Sequence, residues 1–386
     1  MYIILLFTKS VDIMKYTLSL ILFFLIISES FSQSSNDILN LLISNKVISQ
    51  AQADSVRAEA AVLQQQTESS RKSFFVSAAR QMQFSGYSQL RYQTFQETGK
   101  KDGFDIRRAR LDLKGSITPY FSYRVQADLA DKPKLIDGYG EIKLADFFAI
   151  TAGQFKIPFS LENLASSNKL EMIDRSQAVE AMVARGKDVI GNQNGRDIGI
   201  QVSGSFLKVK DFPMVEYRLG IFNGSGINVS DTANEAKDIV GRLIFTPVKG
   251  LSFGGGYYNG WDKAIKPDFP GNSQVRNRFG IELSYVTLRI SVRGEYIEGK
   301  DGKTSRSGWY IQAGYFIVPQ KLQVLGKYDS YDPNLSTIDN ISTCYVVGAN
   351  YNFNTWSRLQ VFFTLRQEEG TAINNNYISI QYQIGF

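Results

Sequence analysis

The sequence has 386 residues, 43 of them Lys or Arg and 37 Asp or Glu, giving a formal charge of +6. It has no histidine and one cysteine, Cys344. This excludes His-dependent nucleophile pairs, imidazole acid–base chemistry, His-ligated metals, an intrachain disulfide and Cys-rich metal or iron–sulfur sites. Glycine (32), phenylalanine (26) and tyrosine (20) are plentiful and proline (9) is scarce, which suits repeated antiparallel strands.

The first element reads as an export signal spanning 1–32. Met14-Lys15 offers a start and a positive n-region, and Leu18 to Ile27 is an apolar h-region too short for a comfortable membrane span. Ser30 and Ser32 supply small residues before a cleavage that leaves Gln33 first, and no lipoprotein cysteine follows. The competing reading is a membrane anchor running back through Tyr2–Phe7, but Lys9 and Asp12 interrupt that run. Met14 is the expected true start. No later stretch of about 18 apolar residues appears, which argues against a helical membrane protein.

Residues 33–82 form a periplasmic helical or coiled-coil segment, with helix expected over 36–81. Ser49 and Gln52 make a capping-box pattern, and Ala53, Val56, Ala60 and Leu63 alternate spacings of three and four. A single amphipathic helix fits the same pattern.

From Gln83 the period becomes two and holds to the last residue. Ala109, Leu111 and Leu113 fall on one face, with Arg108, Arg110, Asp112 and Lys114 on the other. Phe279, Ile281, Leu283 and Tyr285 oppose Arg278, Glu282 and Ser284. Alternating segments of about ten residues are the pattern of transmembrane β-strands, whereas soluble sandwiches use shorter ones. About sixteen strands are expected, near 83–95, 104–117, 120–130, 135–145, 147–156, 196–207, 213–223, 238–247, 250–260, 275–286, 287–297, 308–318, 320–330, 341–352, 356–367 and 377–386. Short links alternate with longer polar ones, the layout of periplasmic turns and external loops. The Asp131–Lys134 link is short where a long one is expected. The longest link, 158–195, follows the fifth strand and is expected to fold into the barrel. The fold class is therefore all-β: a transmembrane antiparallel barrel over 83–386, in the outer membrane of a Gram-negative cell. The last strand ends in Phe386 and looks like the signal read by the barrel-assembly machinery.

Several stretches carry a family likeness: Phe104–Gly115 (FDIRRARLDLKG), Gly153–Leu164 (GQFKIPFSLENL), Leu219–Gly226 (LGIFNGSG), Gly294–Gly299 (GEYIEG), Gly308–Pro333 (GWYIQAGYFIVPQKLQVLGKYDSYDP) and, more weakly, Gly348–Tyr351 (GANY). They run through almost all of 83–386. On them the chain resembles the phosphate-selective porin O and P family. The resemblance implies a sixteen-stranded homotrimeric porin whose Arg and Lys residues line a channel for anions such as phosphate or polyphosphate.

In the alternating register, basic residues outnumber acidic ones on the lumen face, and a low-dielectric wall focuses such a field. Arg108, Arg110, Lys114, Arg124, Arg278, Arg289 and Arg293 are the expected anion-pathway residues, and Lys169 and Arg175 the constriction-loop candidates. The planar fork of Arg suits phosphate oxygens. Any one of these arginines can instead pair with a carboxylate across the lumen. Loop 158–195 is itself nearly balanced, with Lys169, Arg175, Arg185 and Lys187 against Glu162, Glu171, Asp174, Glu180 and Asp188. The expected function is passive diffusion of anions; the alternative is a general or sugar porin without strong selectivity. The expected partners are outer-membrane lipid and small anions. No enzyme activity, no cofactor, no metal and no nucleic acid is expected.

Overall fold

The computed structural model describes residues 35–45, 47–50, 52–54, 56, 75–77, 80–209, 212–229, 236–262, 274–371 and 373–386. The chain divides into two units, Met1–Lys72 and Ser73–Phe386. In the first, helix α1 spans Ser35–Ser44. A second helical run follows Ser49, whose N–H donates to Gln52 Oε1 at 2.9 Å while the Gln52 N–H donates to Ser49 Oγ at 3.3 Å. That is the reciprocal capping box read from the sequence. The single helix expected over 36–81 is a correction: Asn45, a turn-former, opens a break before Ser49, and extended backbone already appears at Phe75–Ser77. The export signal and the heptad positions Ala60 and Leu63 lie outside the described residues.

The second unit is a closed antiparallel barrel. Its sixteen long strands are β1 (Arg80–Phe95), β2 (Gly103–Ser116), β3 (Phe121–Asp128), β4 (Lys134–Ala145), β5 (Phe148–Lys156), β6 (Arg196–Val209), β7 (Phe212–Phe222), β8 (Asp238–Val248), β9 (Leu251–Asn259), β10 (Gln274–Val286), β11 (Ile290–Asp301), β12 (Thr304–Val318), β13 (Leu322–Asp332), β14 (Ser342–Asn352), β15 (Ser357–Glu368) and β16 (Tyr377–Gly385). Each pairs with the next, and β16 pairs with β1 from Tyr377↔Phe95 to Gly385↔Tyr87, so no edge remains. Two short pieces, Phe75–Ser77 and Trp261–Asp262, extend the pairing onto β1 and β10. The short link at Asp131 joins two genuine strands: Asp131 takes a positive φ of 60°, which Asp tolerates in a tight turn.

Burial is inverted relative to a soluble domain. Leu90, Leu111, Ile142, Ile200, Leu219, Leu243, Ile281 and Val347 are exposed on the outer wall. Gln89, Gln126, Asp137, Gln201, Gln360 and Gln381 are buried inside. Such a surface is stable only with hydrocarbon around it and backbone groups paired strand to strand. No helix among the described residues is long and apolar enough to cross a membrane; the crossing is by strands.

Candidate functional site

The segment between β5 and β6 turns into the barrel. Ser160 caps a short helix, α2 (Leu161–Leu164), by accepting from the Asn163 N–H, and a 3₁₀ turn follows at Ser167–Lys169. Ser176 then caps α3 (Gln177–Met182) by accepting from the Ala178 N–H. The wall anchors this loop at successive heights. Gln89 Nε2 donates to the Ser167 carbonyl (3.4 Å) and Gln383 Nε2 to that of Asn168 (3.3 Å). Asn350 and Gln360 both donate to the Glu171 carbonyl, at 2.9 and 3.0 Å. Lys327 Nζ donates to the Asp174 carbonyl at 3.1 Å. Asp329 accepts from the Gln177 N–H (2.9 Å) and Ser176 Oγ (3.1 Å), and Glu295 from the Leu161 and Glu162 N–H groups (2.9 and 2.7 Å). Buried carboxylates that take several N–H donors fix a segment firmly.

The loop's far half is apolar and sits on an apolar patch of the inner wall. Ala178, Val179, Ala181, Met182, Val183 and Ala184 pack with Phe155, Phe222, Val240, Tyr258, Ile297 and Tyr310. Met172 and Ile173 pack on Leu325, Cys344, Val346 and Phe362. These contacts seat the loop on inner-wall residues contributed by strands from β5 round to β15. Cys344 is part of this packing.

The charged groups divide into paired and unpaired sets. Arg110 bonds Asp128 at 2.8 Å, Arg124 meets Asp112 through two bonds of 2.8 Å, and Arg196 meets Asp137 at 2.6 and 3.0 Å. Arg242 pairs with Glu282 and Arg293 with the loop's Glu171. Several other cations form no ion pair among the described residues, Arg218 and Arg358 on the wall among them, and four gather at or beside the loop root. Lys156 Nζ donates to the Leu164 and Ala165 carbonyls (3.1 and 2.7 Å). Arg175 donates to the Glu162 and Ala165 carbonyls and to Ser167 Oγ, each at 3.3 Å, and its Nη1 has no hydrogen-bond partner. Arg185 donates to Asn163 Oδ1 at 2.6 Å, and Arg108 to Gln89 Oε1 at 2.8 Å. The nearby Glu162 carboxylate accepts from the Ser176 N–H at 2.8 Å and acts on Arg175 only through its field, without an ion-pair contact.

The expected pathway residues therefore separate. Arg108 and Arg175 join the unpaired cluster, though Arg175 is buried beneath the loop surface. Lys169 is exposed within the lumen loop and Lys114 is exposed near the short-turn end of β2. Arg124 and Arg293 keep partial exposure but are neutralised by their partners. Two expectations are corrected. Arg278 is fully buried, donating to the Met182 carbonyl at 2.9 Å and paired with Asp301 at 2.7 Å, so it braces the loop. Arg289 is exposed in the turn before β11, because that strand begins at Ile290 and the alternation does not extend through the turn. Strand alternation also misses Arg107. A β-bulge pairs Gln89 with Arg108 and Leu90 with Ile106, which leaves Arg107 as the extra residue and turns it inward. It reaches Asp174 at 2.7 Å.

A closed barrel with a folded-in loop and a polar, charge-paired wall is a channel architecture, and the sequence comparison agrees. The family described as phosphate-selective porin O and P matches residues 80–378. Among the curated proteins, none matches the chain. Solved structures share the fold at low identity. The anion-selective porin from Comamonas acidovorans aligns at TM-score 0.59 and 14% identity, covering 80% of this chain and 100% of that one. The outer membrane channel DcaP of Acinetobacter baumannii aligns at 0.59 and 11%, covering 81% and 99%. The trimer form of OmpT from Vibrio cholerae aligns at 0.56 and 11%, covering 80% and 100%. The chain belongs to the phosphate-selective porin O and P family and is an outer-membrane β-barrel porin.

Proposed function

We propose that the chain is a passive diffusion channel whose lumen favours anions, phosphate and related oxyanions among them, and that it assembles as a homotrimer. One observation carries the anion preference: Lys156, Arg175 and Arg185 converge on residues 162–167 and Arg108 is linked to them through Gln89, none with an ion-pair partner among the described residues, whereas Arg110, Arg124 and Arg196 nearby are neutralised. Burial, and then the neighbouring Arg185, push the Arg175 pKa well below its ordinary value, and burial pushes Arg185 down to about 9. Carbonyl oxygens hold the guanidinium groups without cancelling their charge, so the cluster attracts anions yet releases them, as conduction requires. The trimer is proposed from the trimeric relative.

The test is bilayer electrophysiology. The reversal potential in a KCl gradient should show chloride more permeant than potassium, and added phosphate should lower chloride conductance. Arg108→Gln combined with Lys156→Gln should weaken both effects. A cation-preferring or unselective pore in the unmodified protein would overturn the reading. A second reading, a general or organic-solute porin, rests on the pairing of Arg124, Arg242 and Arg293, which leaves much of the wall locally neutral. It requires a near-zero reversal potential and no phosphate effect.

A further inference from the structure

The short-turn rim of the barrel carries a charge asymmetry that the channel reading does not use. Lys143, Lys208, Lys249, Arg289 and Lys321 are all exposed there. Among the described residues of the turns themselves, the only carboxylate is Asp146, already bonded to Lys143 at 2.7 Å. The opposite rim is mixed in sign, with Lys100 bridged to Glu97 at 2.6 Å, and Asp102, Asp131, Asp339 and Glu369 in its loops.

The basic residues lie at the level of an aromatic belt. Tyr120, Phe147, Phe206, Phe253, Tyr285, Tyr315, Phe353, Trp356 and Phe386 are exposed at this end of the strands. Phe147 stacks on Phe206 (6.3 Å) and Phe206 on Tyr217 (5.5 Å), while Phe353 meets Tyr351 (5.0 Å) and Tyr382 (6.2 Å) on the outer wall. Aromatic belts mark the depth where hydrocarbon gives way to headgroups. Lys321 ties the two features together: its ammonium lies 6.0 Å from the Tyr351 ring centroid, so it leans over the outer, lipid-facing side of the turn and not only into the lumen. A long basic side chain there lays its stem on the apolar wall and lifts its charge to the phosphate layer.

We propose that this rim is a binding surface for anionic phospholipid headgroups of the leaflet that the short turns meet, with Lys208, Arg289 and Lys321 contacting lipid phosphate. Charge complementarity selects the occupant, and the adjoining aromatic belt places it at lipid depth instead of in the aqueous pore. Short turns face the periplasm in barrels of this kind, where the adjoining leaflet is built of glycerophospholipid.

The experiment uses the full chain in nanodiscs of phosphatidylcholine containing a minority of phosphatidylglycerol. Phosphatidylglycerol that stays bound after transfer to detergent is counted by native mass spectrometry. The unmodified protein should retain phosphatidylglycerol in preference to phosphatidylcholine. The combined variant Lys208→Gln, Arg289→Gln and Lys321→Gln should retain about tenfold less. The opposite-rim pair Lys100→Gln, Lys101→Gln should retain as much as the unmodified chain. Excess inorganic phosphate separates the two sources of the anion: lipid bound at the rim should survive it. Equal retention in the combined variant, equal loss in the opposite-rim variant, or displacement by phosphate would each overturn the proposal. Capture of an acidic periplasmic protein without lipid enrichment would also count against it. If the combined variant does not form the heat-modifiable barrel, Lys208→Gln with Lys321→Gln alone should give a partial loss, and retention at the unmodified level would reject the idea.

Discussion

Phe386 closes the barrel on Gly86. The Phe386 N–H donates to the Gly86 carbonyl at 3.0 Å, and the Gly86 N–H donates back to the Phe386 carbonyl at 3.2 Å. A Cβ added at Gly86 would stand 2.6 Å from the Phe386 ring and 2.7 Å from the Arg110 carbonyl. Only glycine lets the terminal aromatic lie flat over the seam between first and last strands, where it also meets Phe84 at 5.7 Å. Gly86→Val should therefore destabilise the barrel by about 2 kcal/mol through overpacking and slow its closure. Refolding into detergent micelles, followed by heat-modifiability on gels, checks this: a lower folded fraction is expected. Full recovery would show that the seam tolerates a side chain.

The wall arginines should behave in two distinct ways. Arg110 and Asp128 are both buried, so Arg110→Gln leaves an unpaired buried carboxylate and should cost about 3–5 kcal/mol. Arg108 bonds only a glutamine amide, so Arg108→Gln should leave stability nearly unchanged and reduce the chloride-over-potassium ratio. A single charge a few ångströms from the path is worth about 1 kcal/mol in wet surroundings, and salt screens it. The selectivity change should accordingly be largest in dilute KCl. Denaturant titration and reversal potentials together separate the two outcomes. Loss of stability in both variants would mean that Arg108 has a structural role as well.

Much of this was legible from residue order, and the departures have physical causes. The period-two rhythm located every long strand because lipid outside and polar groups inside leave each strand with two unlike faces. It misplaced Arg107 because a bulge inserts one residue there and reverses the parity of the residues before it, so that Asp105 faces Arg91 inside while Ile106 and Phe104 face out. It gave no warning that Phe222, Val240 and Ile297 face inward, since an apolar inner wall makes sense only once the loop covers it. The length and position of 158–195 pointed to an inward loop, but the pairing of its charges depends on contacts more than a hundred residues apart, such as Glu295 with Leu161 and Glu162. Arg278 illustrates the same limit: its parity is correct, yet loop contacts and Asp301 occupy it.

The apolar half of the loop sets how much of the lumen stays open. Val179 and Ala178 are essentially inaccessible in the packing against the inner wall. Val179→Asp places a carboxylate in that packing and should cost at least about 2 kcal/mol of loop docking. Carboxylate anchors Glu295 and Asp329 remain, so the loop should loosen without leaving the barrel. Single-channel recordings should show larger and noisier conductance than the unmodified pore. Unchanged current amplitude and noise would mean that this half of the loop does not border the conducting path.

Asp174 gives the pH dependence its direction. Its carboxylate bonds Arg107 Nη2 at 2.7 Å and lies 3.8 Å from Arg91, both on the lumen wall. Burial raises its pKa, but Arg107, Arg91 and Lys327 together more than offset that and hold it below the ordinary 3.8. A carboxyl with a depressed folded pKa contributes stability that is complete above its unfolded pKa and is lost as pH falls through the folded one. Loop anchoring by Asp174 should thus be constant from neutrality down to about pH 4 and weaken only below it. Selectivity should follow the same course, because protonation leaves Arg107 without its carboxylate partner, while Arg91 keeps Asp105 at 2.7 Å. Asp174→Asn should mimic the acid state at pH 7, raising the chloride-over-potassium ratio by a few-fold, about 1 kcal/mol for the one freed charge before screening. It should also abolish the rise in selectivity that the unmodified channel shows below pH 4. Reversal potentials of both proteins across pH 3–7 decide the matter. A variant that keeps the acid-induced rise would assign it to another carboxylate, with Asp105 beside Arg91 the next to replace.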